Sequence, residues 1–396
     1  MTLAEIVLVL VAAVATRSIA LPPVVLREAT TPLGHADVHP KGPTKLLQAF
    51  GLSQPGVRRW HSEPPQYMLD LYNEVAEPNG LTRLPGPYGA TVIRAFSEKD
   101  GSSESRFAFS VSGFEVGEET LEAELHVYHA RLQKAHRHLL DDNLYTLEVS
   151  AEVEGDEPRV LAKQHVAAHS SGWRVFQVGG NGLMKVTAPD DSEEEGADGE
   201  KQVVLQVVAK TLQGSTLPLA FHHGLQGTRR PLLVFFNAYG TSDSQYAPTT
   251  LHRGADKPAA PRKEYEAPSI NRVRRSASDE ETTVAPASEI PSGCERRDML
   301  VDFASIGWSS WIVYPTSYNA YQCLGQCSFP LGQDLNPTNH AIVQSIINNS
   351  GDFPLVQRPC CVPSTYGNLS LLYYDADENV VLKQYDKMVA IECGCH

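Results

Sequence analysis

The spacing of hydrophobic and polar residues changes along the chain and divides it into parts. Residues 6–15 form an unbroken apolar run, and the small residues after it suit signal cleavage at Ala15 or Ala20. Such a run has about half of the ~20 residues that a membrane-spanning helix needs. We therefore expect residues 1–20 to be a secretory signal peptide, and the protein to be secreted into the extracellular space without membrane insertion.

Helical spacing follows the apolar run and then gives way to strand spacing. Apolar residues three and four positions apart predict helices at residues 46–50 and, behind Pro64-Pro65, at residues 68–75. Further along, apolar and polar residues alternate, which is typical of half-buried strands. The alternating runs are residues 106–111, 121–127, 144–149, 173–178, 203–208 and 232–236. We expect residues 21–239 to form an α+β, mainly β domain with an acidic loop at residues 190–201.

The segment after this domain has the composition of a linker. Residues 240–275 contain Ser, Thr, Pro, Ala and charged residues with hardly any aliphatic side chain, so they cannot bury a core. The segment ends in Arg272-Val273-Arg274-Arg275, followed by Ser276. Subtilisin-like proprotein convertases bind such arginines in acidic pockets, where each guanidinium pairs with carboxylates. Because an accessible linker suits a protease, we predict cleavage after Arg275 and release of residues 276–396.

All seven cysteines of the chain lie in the predicted C-terminal fragment. An odd number in a short secreted region predicts internal bridges and one thiol for another molecule, and thus a covalent dimer. Two short segments, Cys323 to Cys327 and Cys393 to Cys395, could form a ring that a third bridge threads, with Gly325 keeping the hole free of side chains. Six cysteines permit 15 connectivities, so the residues alone leave the pairing open.

A zinc site is the alternative use of these cysteine clusters, with His340 or His396 as a further ligand. It would lack a regular tetrahedral ligand spacing, and disulfides persist outside the cell. We therefore expect bridges and no metal or other cofactor.

The C-terminal fragment shows two hairpins and one helix. Residues 301–327 and 369–393 read as antiparallel hairpins, the second turning at residues 375–379. Between them, a helix begins near Pro337 and runs to Asn348 or Asn349, before Gly351. This helix is apolar almost all round, so we expect a second chain to cover it; the alternative is a core helix within one chain.

Several short motifs together resemble one known family. They are Val301-Asp302-Phe303, Ile306-Gly307-Trp308, Trp311-Ile312-Val313, Cys323-x-Gly325-x-Cys327, Pro337-Thr338-Asn339-His340-Ala341, Cys360-Cys361-x-Pro363 and Cys393-Gly394-Cys395. With them, residues 294–396 resemble the growth factor domain of the transforming growth factor β superfamily over its whole length. Residues 311–323 and Glu392 are most similar to Nodal, whereas residues 380–383 are closer to bone morphogenetic proteins. Residues 65–72 and 231–236 resemble the family's propeptide.

The resemblance implies a fold and a bridge pattern. The fold is a small disulfide-rich cystine-knot growth factor, with two β-hairpin fingers plus one helix, preceded by the mainly β propeptide domain. The implied intrachain bridges are Cys294–Cys361, Cys323–Cys393 and Cys327–Cys395. The remaining Cys360 would join two chains into a disulfide-linked homodimer.

The resemblance also implies receptor contacts. Trp308 and Trp311, which a domain this thin is not expected to bury by itself, would contact a type I receptor. The family's knuckle surface for the type II receptor corresponds to Tyr314, Pro315, Leu371, Leu372 and Leu382. Since adjacent strand residues point to opposite faces, we expect Leu371 to be the freer of the two leucines.

The implied partners follow from these sites. They are activin-type type I and type II receptor serine/threonine kinases, an EGF-CFC co-receptor for a Nodal-type ligand, the protein's own propeptide and a proprotein convertase. The formal net charge of −14 argues against nucleic acid as a partner. Two sequons predict glycosylation at Asn348 and Asn368, of which Asn348, at an exposed helix end, is the better candidate.

The predicted function is a secreted growth factor precursor that activates Smad signalling. The alternatives are a ligand like the bone morphogenetic proteins and a secreted cystine-knot antagonist, which would need neither a convertase site nor a large propeptide. A hydrolase is disfavoured because the sequence shows no motif for a nucleophile with a partnered base, so we expect no catalytic residues.

Overall fold

A computed structural model describes residues 63–99, 104–115, 117–140, 142–152, 158–180, 183, 201–223, 229–239 and 291–396. These residues belong to one compact unit, Leu47–His396. The predicted signal peptide, the helix at residues 46–50, nearly all of the acidic loop, and the linker with its convertase site at Arg272–Ser276 lie outside the described residues. Within the described ranges, no helix combines the length and apolar character needed to cross a bilayer.

The N-terminal part begins with helix α1 (Gln66–Val75), which starts directly after Pro65 as predicted. Nine strands follow it and form what we call the arm domain. They are β1 (Val92–Ser97), β2 (Arg106–Val111), β3 (Glu118–His129), β4 (Leu144–Ala151), β5 (Arg159–Ala167), β6 (Gly172–Gln177), β7 (Lys201–Lys210), β8 (Thr216–Leu217) and β9 (Leu232–Tyr239). The six predicted strands are confirmed, and β1, β5 and the two-residue β8 were missed.

Strands β1 and β5 lack the alternation that marks a half-buried strand, and β8 is too short to show any. Strand β1 is buried at five successive positions, whereas β5 is exposed or half-buried at all but one, so neither has a clear period of two. Strands β2, β7, β4 and β5 form one sheet, with β8 beside β7. Its inner face packs on strands β1, β3 and β9 around residues such as Phe107, Leu125, Leu147 and Phe235. The predicted mainly β domain is therefore a sandwich.

The C-terminal part contains seven strands and helix α2. The strands are β10 (Glu295–Arg297), β11 (Leu300–Asp302), β12 (Ile312–Tyr314), β13 (Ser317–Asn319), β14 (Gln322–Leu324), β15 (Cys361–Tyr374) and β16 (Val380–Cys395). Strands β15 and β16 pair along their length and turn at residues 375–379, which confirms the second finger. Helix α2 (Asn339–Ser350) is capped by Thr338, whose hydroxyl accepts from the Ala341 amide at 3.2 Å. It ends at Gly351, which adopts the left-handed conformation.

One seven-stranded sheet joins the arm domain to the C-terminal part. Its order is β12-β15-β16-β1-β9-β3-β6, so β1 lies between the second finger and the arm domain. Strands β1 and β16 are antiparallel, with Val92 opposite Lys383 and Ala95 opposite Val380. From the sequence we expect the arm domain and the C-terminal part to be separate domains. In the uncut chain they share backbone hydrogen bonds and an apolar core.

Candidate functional site

Three disulfides hold the base of the two fingers together. They join Cys294 to Cys361, Cys323 to Cys393 and Cys327 to Cys395, with Cα atoms 5.4, 5.7 and 5.8 Å apart. These are the pairs that the family resemblance implies. The sequence separations are 67, 70 and 68 residues, and closing a loop of this length stabilises a fold by about 4 kcal/mol for a single bridge.

Gly325 shows how closely the chain passes through this knot. Its φ is +125°, and a Cβ atom there would lie 1.8 Å from the carbonyl oxygen of Gly293. Only a residue without a side chain fits beside the Gly293–Cys294 backbone. The sulfurs of Cys294, Cys327 and Cys395 lie within 4.8 Å of one another, but each is already bonded to another sulfur. This cluster is therefore the centre of the knot rather than a set of metal ligands.

Cys360 is the free cysteine, and it is exposed. Its amide donates to the carbonyl of His396 at 2.8 Å, and the amide of His396 donates back to the carbonyl of Cys360 at 2.9 Å. These two bonds fix the thiol beside the C-terminus, at the edge of the knot. A bridge from this thiol to a second chain stays a prediction.

Helix α2 leaves most of its apolar side chains on the surface. Ala341 and Ser345 are its buried residues, while Val343 and Ile346 are more than half exposed. The loop after the helix adds Leu355, which is 93% exposed. The alternative of a core helix within one chain is therefore wrong for this structure, and an apolar surface of this kind is typical of a protein–protein interface.

The expectation that Trp308 and Trp311 are exposed is wrong. Their exposed fractions are 2% and 4%. The two indole rings lie 5.3 Å apart, and Trp308 stacks on Phe303 while Trp311 contacts the ring of Tyr373 edge-on. The fingers are thin, but they supply enough aromatic surface to enclose both indoles. A type I receptor contact at these residues stays a prediction that their burial does not support.

The knuckle surface is also covered, except for one residue. Tyr314 is 47% exposed, whereas Pro315, Leu371, Leu372 and Leu382 are all buried. The expectation that Leu371 faces solvent is therefore wrong, since both adjacent leucines are fully enclosed.

The propeptide region covers Pro315, Leu372 and Leu382. Leu372 and Leu382 lie in one apolar cluster with residues of helix α1 and strands β1 and β9. The Tyr72 ring of α1 stacks on Tyr314 with 5.7 Å between ring centroids. At Gly80, whose φ is +85°, an added Cβ would lie 2.6 Å from Pro315, so the two chain segments are in close contact. Local sequence patterns carry no sign of this cover, because Tyr72 and Tyr314 are 242 positions apart and Gly80 and Pro315 are 235 positions apart.

Polar side chains also cross between the propeptide region and the fingers. Lys383 Nζ donates to Glu115 Oε1 at 2.7 Å, with the lysine nearly buried and the glutamate partly exposed. Partial burial acts to raise the pKa of Glu115, but hydrogen bonds from Lys383 and Tyr239 outweigh it, so this pKa is lowered. The hydroxyls of Thr82 and Ser370 are 2.8 Å apart and hydrogen-bonded. The contact is therefore specific as well as apolar.

The two sequons occupy half-buried positions. The Asn348 side-chain nitrogen donates to the carbonyl of Val356 at 2.7 Å, so its predicted free exposure at the helix end is wrong. The carbonyl of Asn368 accepts from the Thr82 amide at 2.9 Å, next to the knuckle surface. Glycosylation of either residue stays a prediction.

Comparison with known proteins matches two parts of the chain to two family models. Residues 293–395 match the transforming growth factor beta like domain, and residues 43–183 match the TGF-beta propeptide. Two relatives align with most of the chain. Bone morphogenetic protein 2 of Tetraodon nigroviridis is 29% identical over 406 residues, which cover 89% of this chain and 87% of the relative.

A Nodal homolog of Xenopus laevis is similar to the same extent. It is 30% identical over 371 residues, or 84% of this chain and 86% of the relative. Human bone morphogenetic protein 3 is 49% identical over 105 residues, which are 26% of this chain and 22% of the relative. The similarity thus extends over both the arm domain and the knot, and it does not favour one subfamily.

Proposed function

Since this chain belongs to the transforming growth factor β superfamily, we propose that it is the precursor of a dimeric Nodal-type ligand that joins type I and type II receptor kinases and activates Smad signalling. Members of this family are secreted signalling ligands and not enzymes; they carry propeptides, form dimers and bind receptor kinases. The chain is accordingly a growth factor precursor with a propeptide. Its receptors and its subfamily are the proposed part.

The observation that carries the proposal is the exposed apolar helix α2 beside an exposed, unpaired thiol. Val343, Ile346 and Leu355 form a surface that a second copy can cover, and Cys360 can then link the two copies. A two-fold dimer places the same patch of each copy against the other and presents two copies of every receptor site.

The propeptide would control access to the knuckle surface. We propose that a convertase cuts after Arg275 and that helix α1 and strand β1 hold the cut fragment until a receptor displaces them. The burial of Leu372 and Leu382 by these elements supports this order of events, because the type II receptor would need the same side chains. The arm domain has no cysteine, so no disulfide inside it holds the cover shut.

A reporter assay tests the proposed function. Cells that carry an activin-type Smad reporter are treated with the fragment from Ser276, with the cut complex and with an uncut Arg275→Ala precursor. Strong activation by the fragment, less by the complex and none by the uncut precursor is the expected result. Suppression of an added ligand would instead indicate an antagonist.

The same cells distinguish the two subfamilies. A Nodal-type ligand needs the EGF-CFC co-receptor, so its activity should vanish in cells that lack it. Activity that is independent of the co-receptor and appears on a bone morphogenetic protein reporter would favour the second candidate. The similar identity to bone morphogenetic protein 2 is the observation that keeps this candidate.

A further inference from the structure

Three segments of the arm domain carry positive charges and no acidic residues, although the chain as a whole is acidic. Residues 129–140, 158–180 and 220–231 contain no Asp or Glu, in a chain with 47 acidic residues. The first of these segments holds Arg131, Lys134 and Arg137, and the third holds Arg229 and Arg230. The net charge of −14 for the whole chain therefore hides a local excess of positive charge.

The fold brings the three segments to one end of the arm domain. The Ala130 amide donates to the carbonyl of Ala220 at 2.8 Å, and the His222 amide donates to the carbonyl of Tyr128 at 2.9 Å. Strand β6 continues the surface, because Trp173 is the register partner of Tyr128 in the antiparallel pair β3–β6. Strand β6 is the last strand of the seven-stranded sheet, and its Trp173 and Val175 side chains are 41% and 44% exposed.

Tyr128 lies at the centre of the surface. The guanidinium of Arg229 lies over its ring at 4.3 Å from the centroid, and the rings of His222 and Trp173 contact it at 5.1 and 5.7 Å. The Trp173 indole remains 41% exposed. We call Tyr128, Trp173, Arg229, Arg131 and Lys134 the basic patch.

The cations of the basic patch lack the carboxylate partners that some other cations of the arm domain have. Arg106 pairs with Glu152, and both Lys163 and Lys210 pair with Glu148. Among the residues that the structure describes, no carboxylate forms an ion pair with Arg131, Lys134 or Arg229. All three are exposed.

Unpaired cations at the same end of the domain as an exposed indole suit a particular kind of ligand. The Debye length is about 8 Å at physiological salt, so acidic residues on remote surfaces do little to cancel this local field. Arginine guanidinium groups bind oxyanions through paired hydrogen bonds, and an exposed indole offers a flat apolar face to a ring. A ligand with many oxyanions along a chain of rings satisfies both features.

We propose that the basic patch binds a sulfated linear polysaccharide of the extracellular matrix. The family is secreted, so this class of polyanion is available to the precursor. The patch lies on the propeptide and away from the knuckle surface, so the propeptide would tether the growth factor to the matrix while it remains attached. The proposal rests on the arm domain alone and stands or falls independently of which receptors the ligand uses.

Heparin is the probe for the test. The full-length precursor is loaded on immobilised heparin and eluted with a NaCl gradient, beside two triple variants. Arg131→Gln, Lys134→Gln and Arg229→Gln remove the patch charges, while Lys99→Gln, Arg106→Gln and Lys201→Gln remove three exposed cations outside the three acid-free segments. We expect the patch variant to elute at lower NaCl and to bind heparin at least about tenfold more weakly at 0.15 M salt. The matched control should elute like the unchanged precursor.

Labelling of the unchanged precursor gives a second readout that needs no variant to fold. Heparin should protect Lys134 from acetylation and leave Lys201 accessible. Equal elution shifts in the two triple variants, failure of the precursor to bind heparin, or binding to phosphatidylserine vesicles in its place would overturn the proposal. A precursor that binds heparin only after deletion of residues 190–200 would indicate that this acidic segment occupies the patch. That result would overturn the proposal as well.

Discussion

Helix α1 offers the sharpest test of the propeptide cover, through the substitution Leu71→Ala. Leu71 is 3% exposed and belongs to the apolar cluster that includes Leu372 and Leu382 of the fingers. The substitution removes packing on the propeptide side of the contact and leaves the growth factor sequence unchanged. Its effect on the cut complex therefore measures the cover itself.

The expected size follows from the burial of this side chain. Replacing a buried Leu by Ala costs about 2–5 kcal/mol, as the sum of a transfer contribution and a contribution from the cavity that remains. We assign the lower end, about 2 kcal/mol, to the contact with the fingers, because α1 also packs on β1 and β9 of its own region. A loss of this size raises the dissociation constant by about 30-fold.

Surface plasmon resonance on the convertase-cut complex, captured through a tag on the propeptide, measures release of the growth factor. Glu74→Ala is the matched control, because Glu74 is exposed on the same helix and Ala preserves helix propensity. Thermal unfolding of the separated propeptide shows whether either variant disturbs its own fold. A change below threefold for Leu71→Ala, or an equal change for Glu74→Ala, would refute the assignment of helix α1 as the cover.

Three further predictions concern the knot and the charges. Cys360→Ser should convert the covalent dimer to a monomer on a non-reducing gel with the three bridges intact by peptide mapping; a persisting dimer would assign the link elsewhere. Gly325→Ala should abolish secretion of folded protein, because its Cβ would overlap the neighbouring backbone, whereas Gly307→Ala, which has positive φ but open space, should cost only about 1 kcal/mol. Release of the growth factor should accelerate as the pH falls through and below the carboxylate range of about 4, because the lowered pKa of Glu115 stabilises the complex above that range and protonation removes the ion pair to Lys383. Glu115→Gln should flatten this dependence in dissociation rates measured from pH 7 to pH 3.

Local signals in the sequence were sufficient for the elements but not for their assembly. Three of these signals involve only residues that are close together in the chain, and the structure bears out all three. They are Pro65 before helix α1, Gly351 after helix α2 and the alternation in strand β3. The family motifs carried the bridge pattern, which six cysteines alone leave open.

The errors arose where a residue's environment depends on distant segments. Leu372 and Leu382 read as receptor-facing because the growth factor domain was considered in isolation, yet helix α1 and strands β1 and β9 cover them. Trp308 is buried by Phe303 and Trp311 of its own finger, a contact that spacing alone does not reveal. Strand β1 was missed because it is buried at successive positions between two other strands, so its sequence shows no alternation. The charge of the arm domain shows the same limit, since a total of −14 gives no indication of where the positive residues gather.

The antiparallel pairing of Val92 and Ala95 with Lys383 and Val380 has a consequence for the liberated ligand. If a receptor displaces the propeptide as proposed, the backbone N–H and C=O groups of Val380 to Lys383 that face β1 lose their partners, while those that face β15 stay paired. This side of β16 then becomes a bare sheet border beside Leu382. Such borders recruit other extended chains and promote precipitation. We therefore expect the propeptide to limit aggregation of the ligand before release, and the released ligand to stay monodisperse for longest when a receptor or another binder covers that border.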